Sequence, residues 1–330
     1  MSTVTSAYDA APWWLPGGHL QTIWPALWAR HTHGPRPQYQ RERWSTPDAD
    51  FIDLDWLDAP SAQPTPLLVL FHGLEGSSAS HYALAFADWA REHGVRFVVA
   101  HFRSCSGPLN LAPRAYHSGD YAEIDWILAR LRSQHVGPLW AVGVSLGGNA
   151  LMRWAAEKGA AAQFVVNATA SVCAPLDLTA GGHAIGRGLN RWLYTPMFLR
   201  TMKPKALAKL AQHPGLFDRQ RLLAARTLYE FDDVFTAPLH GFKHALDYWM
   251  RASAKPHLHR ISVPTLIVHA RNDPFVPAHS LPQRHDVSAS VTLWQPARGG
   301  HVGFAHGRWP GHVRSLPDAV GAWFNECTHG

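Results

Sequence analysis

The sequence contains no run of about 18 apolar residues, so a hydrophobic membrane-spanning helix is not expected. Its start, Met1 to Asp9, lacks a basic stretch followed by an apolar one, so no secretory signal is expected and a cytoplasmic location is. Cysteine is scarce: Cys105, Cys173 and Cys327 are odd in number and widely spaced, and they read as reduced thiols rather than metal ligands. Neither a Gly-x-x-x-x-Gly-Lys-Ser/Thr phosphate loop nor a Gly-x-Gly-x-x-Gly dinucleotide pattern occurs, so no cofactor is expected. The pairs His31-Thr32-His33 and His257-Leu258-His259 have no carboxylate or cysteine at ligand spacing beside them, which argues against a metal site. The 22 histidines otherwise fall mostly singly in loops, as a compositional bias. Lys and Arg are scattered and form no run, so the net charge of +6 describes a basic solvated surface, and no nucleic-acid partner is expected. Internal repeats and low-complexity linkers are also missing.

What remains is a globular balance, 46% hydrophobic and 16% charged over 330 residues, with ample material for a core. Short apolar runs alternate with helix-like segments. Gln40–Ser45 and Phe51–Leu57 form two strands around the turn Pro47-Asp48-Ala49-Asp50. In the second strand Phe51, Asp53 and Asp55 alternate with Ile52, Leu54 and Trp56, the period of a half-buried strand. Asp58-Ala59-Pro60 ends it, and a loop runs on to Pro66. Leu67–Phe71 reads as a strand buried on both faces, followed by a helix at Tyr82–Glu92. A strand at Arg96–Phe102, a helix at Tyr121–Ser133, the strand beginning at Leu139, a helix from Leu146 and a strand at Gln163–Thr169 continue the rhythm. This alternation predicts a mostly parallel, doubly wound α/β sheet. From Pro175 to about His259 it breaks into helical pieces punctuated by Gly and Pro. Residues 175–259 therefore read as a helical cap inserted in a single domain spanning 1–330. Strands resume at Pro264–Ala270 and Val291–Trp294, with a closing helix near Pro317–Phe324.

The segment 1–38 is rich in tryptophan. Pro16 and Pro25 confine its helix to about two turns, Gly18–Trp24. Its polar side lacks the clustered Lys and Arg of an interfacial helix, so it is expected to pack on the domain or floor its cleft. Stable membrane insertion is not expected; peripheral contact is the competing reading.

Within Leu139–Asn149 lies Gly143-Val144-Ser145-Leu146-Gly147, a nucleophile elbow between strand and helix. Glycines at these spacings relieve collisions at a strained turn that exposes the serine hydroxyl. A serine needs a base, and the base an orienting acid. In such a sheet enzyme the acid and then the histidine follow the serine at later strand ends. Asp273 in Asn272-Asp273-Pro274 and His301 in Gly299-Gly300-His301 occupy those places. Asp177, Asp232 and Asp233 compete for the acid role, and His306 for the base. The backbone N–H groups of Leu146 and Leu74 are the expected oxyanion hole. Trp192, Leu193, Tyr194, Met197, Phe198 and Leu199 either line an apolar acyl pocket or form cap core. His72, Trp192, Tyr194 and Phe198 are the pocket candidates.

With these residues in place, the sequence resembles the α/β-hydrolase superfamily, and within it the YheT-like branch related to animal ABHD lipases and esterases. The resemblance covers nearly the whole chain. It rests on Gly18-His19-Leu20-Gln21-Thr22, Phe71–Gly76, Phe102-Arg103-Ser104-Cys105-Ser106-Gly107, Tyr116–Gly119, Gly143–Asn149, Asp273-Pro274-Phe275 and Gly299–Phe304. It implies an α/β-hydrolase fold and a serine hydrolase acting on carboxylic esters, acylglycerols and other lipids among them, without a cofactor. Animal relatives carry an N-terminal membrane helix, and none is expected in this chain. One departure is Ser104, where the family usually has glycine. An epoxide hydrolase or dehalogenase is disfavoured, because those need a carboxylate where Ser145 stands. Two readings compete with ester hydrolysis: acyl transfer on the same triad, and a non-catalytic binding protein on a hydrolase scaffold.

Overall fold

A computed structural model describes Tyr8, residues 11–57 and residues 65–329. The loop expected over 58–64 and the N-terminal residues 1–7 lie outside the described residues. One eight-stranded sheet organises the chain, in the order β1-β2-β4-β3-β5-β6-β7-β8. Its strands are Gln40–Ser45 (β1), Phe51–Leu57 (β2), Leu67–Phe71 (β3), Arg96–Ala100 (β4), Leu139–Val144 (β5), Ala168–Val172 (β6), Thr265–Val268 (β7) and Val291–Trp294 (β8). The pairs β1·β2 and β2·β4 are antiparallel, and every other pair is parallel.

The twofold period of the central strands divides the core between the faces of the sheet. Leu67, Val69 and Phe71 point toward Tyr121–Gln134 (α3) and Leu146–Lys158 (α4), where Ile124, Leu128, Leu151 and Trp154 pack. Leu68 and Leu70 point the other way, toward His81–Glu92 (α2) and Ser315–His329 (α12), where Phe86, Trp89, Val320 and Phe324 close the layer. Apolar strands buried on both faces are what helices on each side of a parallel sheet require.

The chain departs from three sequence-based expectations for local structure. The strand expected over Gln163–Thr169 starts late: Gly159 ends α4 at φ +51°, the small-residue stretch Gly159–Phe164 turns as a 3-10 helix, and pairing with β5 begins only at Ala168. β2 is not half-buried. Its Asp53 and Asp55 are covered by Arg43 and Arg41 of β1, each in a two-point ion pair with contacts of 2.7–2.9 Å. The first helix, Gly17–Leu27 (α1), runs through Pro25 instead of stopping before it. Proline lacks only the single N–H that would bond one turn back, a loss that a helix supported by tertiary contacts tolerates near its end.

Between β6 and β7 lie seven α-helices: Leu178–Ile185 (α5), Gly188–Leu193 (α6), Thr195–Gln212 (α7), Arg219–Ala224 (α8), Leu228–Phe231 (α9), Ala237–Leu239 (α10) and Ala245–Ala252 (α11). Among the described residues no helix is long and apolar enough to cross a membrane.

Candidate active site

The register of the sheet brings the site together. Phe71 of β3 lies opposite Gly143 of β5, so the turns that follow these two strands emerge side by side. Ser145 sits between β5 and α4 at φ +53°, ψ −117°, a conformation that L-residues rarely adopt. A Cβ on Gly143 would stand 2.4 Å from the Gly147 carbonyl oxygen, and one on Gly147 would stand 2.4 Å from that of Phe71. Only glycine allows strand, turn and helix to approach this closely.

His301 accepts from the Ser145 hydroxyl at its Nε2, 3.0 Å away, and donates from Nδ1 to Asp273 Oδ2 at 2.8 Å. The other Asp273 oxygen accepts the N–H groups of Phe275 and Val276 at 2.7 and 3.3 Å, which fixes the carboxylate plane. Phe275 also lies against the His301 ring, with centroids 4.3 Å apart.

The loop carrying His301 is tied residue by residue. The N–H of Gly299 donates to Gln21 Oε1 at 2.9 Å, that of Gly300 to Asn272 Oδ1 at 3.0 Å and that of His301 to Thr22 Oγ1 at 2.9 Å. The Val302 N–H reaches Cys173 Sγ at 3.4 Å, and His81 Nε2 donates to the Val302 carbonyl at 3.0 Å. Val302 and Phe304 are held at φ +59° and +42°, strain that such anchoring can maintain. The same Gln21 oxygen accepts from Asn272 Nδ2 at 2.8 Å, so one buried amide joins the histidine loop to the acid loop. A Cβ on Gly300 would stand 2.5 Å from Gln21 C, and one on Gly18 would stand 1.9 Å from Asn272 O. Sequence reasoning places no functional residue among Gln21, Thr22, Asn272 and His81. The available signal is the pair Gly18 and Gly300, small residues where backbones must touch.

His269, which sequence reasoning also misses, lies at the end of β7 with its Nε2 4.0 Å from Asp273 Oδ2. Burial, partly opposed by that carboxylate, pushes it down to about 4, so it is neutral at pH 7.

The turn after β3 approaches the serine: a Cβ on Gly73 would lie 3.2 Å from Ser145 Cβ. Around Leu74 the backbone donors are occupied. Gly73 N–H donates to the Tyr82 hydroxyl, Glu75 N–H to the Tyr116 hydroxyl and Gly76 N–H to the Gly73 carbonyl, all at 2.9 Å. Among the described residues no acceptor engages Leu74 N–H. Leu146, as the first residue of α4, has no helical acceptor one turn back.

Ser145, Leu74 and Leu146 open into a cleft of about 1070 Å³ including its mouth, walled by apolar side chains such as Leu178, Ile185, Phe198, Met202, Phe231 and Phe235. Of the four pocket candidates, only Phe198 lines it. His72 is fully buried behind the turn, donating from Nδ1 to the Gly73 carbonyl at 2.8 Å and accepting the Phe102 N–H at 3.0 Å, so it shapes the loop instead of meeting a ligand. Tyr194 is turned away onto Phe275 and His19, to which it is hydrogen-bonded at 3.1 Å. Trp192 is exposed, because α6 buries no residue. None of the rival acids or the rival base bonds to Ser145 or His301, although Asp232 lines the same cleft and His306 is exposed and hydrogen-bonded through its backbone. Asp177 caps α5 through Ala180 N–H, Asp232 accepts from Thr236 and Trp249, Asp233 pairs with Arg221, and His306 is bridged to His312.

The family profile described as alpha/beta hydrolase fold matches residues 66–307. The chain belongs to the α/β-hydrolase family. It is 41% identical over 293 residues to YheT of Escherichia coli (strain K12), covering 88% of this chain and 84% of that protein. It is 30% identical over 313 residues to phospholipase ABHD3 of Mus musculus, covering 88% and 75%. These likenesses place it in the YheT-like branch of the α/β-hydrolases, among esterase- and lipase-type enzymes. In fold it is similar to the ferulic-acid-bound Est1E of Butyrivibrio proteoclasticus, with a TM-score of 0.55 at 15% identity over 89% of this chain and 100% of that one.

In this α/β-hydrolase, Ser104 occupies a left-handed position at φ +64° on the cleft wall, a conformation that suits the glycine expected from the resemblance. Its hydroxyl donates to Asn110 Oδ1 at 2.7 Å and accepts the Asn110 N–H at 3.0 Å. The neighbouring Arg103 anchors the same loop to Asp48, Asp50 and Glu123.

Proposed function

We propose that this hydrolase cleaves carboxylic esters with apolar acyl groups, lipid esters included, through a covalent acyl-enzyme. Ser145 is the nucleophile, His301 the general base and Asp273 the orienting acid. With Asp273 ionised, His301 carries its proton on Nδ1 and leaves Nε2 free to take the one from Ser145. Attack on the ester carbonyl forms a tetrahedral oxyanion that Leu74 and Leu146 N–H groups stabilise, with the N-terminus of α4 adding positive potential. The proton held on Nε2 passes to the departing alkoxide, giving an alcohol and acylated Ser145. Water then enters, His301 takes one of its protons, and hydroxide addition releases the carboxylic acid while Ser145 regains its proton.

The observation that carries this proposal is the hydrogen-bonded run Ser145–His301–Asp273, at 3.0 and 2.8 Å, on the floor of an apolar cleft. Apolar walls favour acyl chains over polar substituents. A p-nitrophenyl ester series of increasing acyl length tests it. The expected result is rising kcat/KM with length, labelling by a fluorophosphonate, and loss of both in Ser145→Ala by roughly 10⁴-fold or more. Turnover surviving in Ser145→Ala would sink the mechanism. Fluorophosphonate labelling with no ester turnover would point to another acyl acceptor.

A further inference from the structure

Large apolar side chains stand exposed on two elements that clasp the acid loop. On and beside α1 these are Trp13 at 90% exposure, Leu27 at 62% and Trp28 at 56%, with Trp309 at 69% across from them. Trp28 and Trp309 belong to one aromatic cluster with Trp14 and Trp24: Trp24 sits 5.7 Å from Trp14, 5.0 Å from Trp28 and 6.4 Å from Trp309 between ring centroids. On α6, Leu189, Leu193 and Trp192 (77%) are exposed. Both elements meet the same loop, since Asn190 Nδ2 donates to the Pro274 carbonyl and Gly18 lies against Asn272 and Pro274. His19 of α1 stacks on Tyr194, the residue after α6, with centroids 5.8 Å apart. The chain turns directly from α6 into α7, whose Phe198 and Met202 line the cleft.

Charge on these segments has one sign. No Asp or Glu occurs between Asp9 and Glu42, between Asp177 and Asp218, or between Asp286 and Asp318, the stretches that hold α1, α5 to α7 and the Trp309 loop. Arg30 and Arg308 flank the tryptophan cluster, Arg187 and Arg191 flank the apolar residues of α6, and all four are exposed. Tryptophan favours the headgroup region of a bilayer, and exposed basic residues are attracted to anionic lipid. A face with exposed tryptophan and leucine, arginine at its margins and no carboxylate in its segments combines both.

We propose that this face, α1 with the Trp309 loop and α6, docks the enzyme on an anionic lipid surface beside the mouth of the cleft. Docking here would leave the sheet and the His301 tethers undisturbed, because Gln21 and Thr22 are buried against the protein interior. The proposal concerns binding and stands independently of the catalytic one.

The test uses full-length Ser145→Ala protein, which cannot consume the lipid, sedimented with vesicles of phosphatidylcholine alone or mixed with phosphatidylglycerol. Retention on the phosphatidylglycerol vesicles, weakened by salt, is the expected result. Trp13→Ser/Trp28→Ser/Trp192→Ser should lower partitioning roughly tenfold or more. Arg187→Gln and Arg191→Gln should each lower it about fivefold, and together erase the preference for phosphatidylglycerol. The same substitutions in the Ser145 protein should leave turnover of a short soluble ester within about twofold, which separates lost docking from lost folding. A parent that stays in the supernatant at low salt, or variants that partition like the parent, would overturn the proposal. So would a parent that elutes as a dimer and a tryptophan variant that elutes as a monomer, neither binding vesicles, since a second copy would then be the occupant. Absence of ester turnover would remove the catalytic proposal and leave the vesicle result standing.

Discussion

The two sides of the cleft are built on different principles. The floor consists of strand ends and the turns that leave them, with Ser145, Asp273, His301 and Leu74 each within a few residues of β5, β7, β8 and β3. Apart from the Leu74 and Leu146 N–H groups, its backbone donors are paired, several with side chains brought from elsewhere in the chain: Gln21, Thr22 and Asn272 accept N–H groups of the histidine loop, and His81 donates to its Val302 carbonyl. The roof from α5 to α11 is held mainly by packed side chains, with a few bonds to the floor's backbone, such as those from Lys209 Nζ to the Asn110 and Ala112 carbonyls and from Asn190 Nδ2 to the Pro274 carbonyl. Leu199, Leu222, Phe231 and Phe235 form a core of their own, and the Lys205–Glu75 ion pair at 2.9 Å joins the roof to the floor. The contrast teaches that placing reacting atoms demands tethered backbone, whereas shaping a substrate's volume demands only packed surface. Substitutions in the floor should therefore act on kcat, and those in the roof on which ester is preferred.

Gln21→Ala should have the largest effect. It strips the acceptor from both Gly299 N–H and the Asn272 amide in a site only 1% exposed, and buried donors left unpaired cost about 1–3 kcal/mol each. With His301 free to drift, kcat should fall roughly 100-fold while KM for a short ester stays within about threefold, and fluorophosphonate labelling should slow in parallel. If kcat instead stayed within about twofold, the floor would not depend on its tethers and the contrast would fail.

The floor is largely legible in the sequence because its signals are local. Gly143 and Gly147 around Ser145, and Gly299 and Gly300 before His301, mark backbones that must turn or touch, and the apolar runs before them mark the strands. The tethers are not legible. Gln21 and Thr22 act across a separation of about 280 residues, which no periodicity records. The roof is legible only as helical. Trp192, Tyr194 and Phe198 are equally apolar in sequence, and which of them meets the cleft depends on how α6 and α7 turn against Phe275. His72 is misplaced for a related reason: a histidine beside the turn fits a lining role as well as the loop-shaping role it has.

Acidification should expose the next difference. Burial is the leading cause that lowers His72 to about 3 and His81, His117 and His269 to about 4, from an ordinary 6.5. Each binds a proton more readily unfolded than folded. Their contribution is fully present above about 6.5 and is lost as the pH falls toward 4. Asp50, whose burial is outweighed by hydrogen bonds from Asn110 and from Leu111, Ala112 and Phe51 N–H groups, is held at about 2, so its contribution declines only below about 4. Glu123 and Asp232, raised by burial to about 7 and about 6, work the other way and gain stability as they take up protons. Thermal unfolding followed from pH 7 to 4 should thus show Tm falling, with these two carboxyls offsetting part of the loss. His81→Gln, which keeps a donor for the Val302 carbonyl, should make that slope shallower. A flat Tm over this interval in a Glu123→Gln/Asp232→Asn background would contradict burial of these four rings.

On the roof, Phe198→Ala should leave kcat for a short acyl ester within about twofold. It should lower kcat/KM for long-chain esters roughly tenfold, since it removes one wall and the edge contact with Phe275 at 6.1 Å. A uniform loss across the series would mean that the ring supports His301 through Phe275 and belongs functionally to the floor.

The smallest effect is expected where the two sides meet, at Ser104. Its left-handed backbone costs about 1–2 kcal/mol for a residue with a Cβ, a strain that Ser104→Gly relieves. The substitution also removes both hydrogen bonds to Asn110, worth about 1 kcal/mol each, and adds backbone freedom to the unfolded chain. These terms nearly cancel, so Tm should move by no more than about 3 °C. Asn110 keeps its bond to Asp50 at 2.7 Å, so the loop stays anchored even without the serine hydroxyl. The acyl-length profile should therefore be unchanged within about twofold. A marked change in chain-length preference with Tm unaltered would assign this loop to the roof, as a wall whose position the Ser104–Asn110 pair sets.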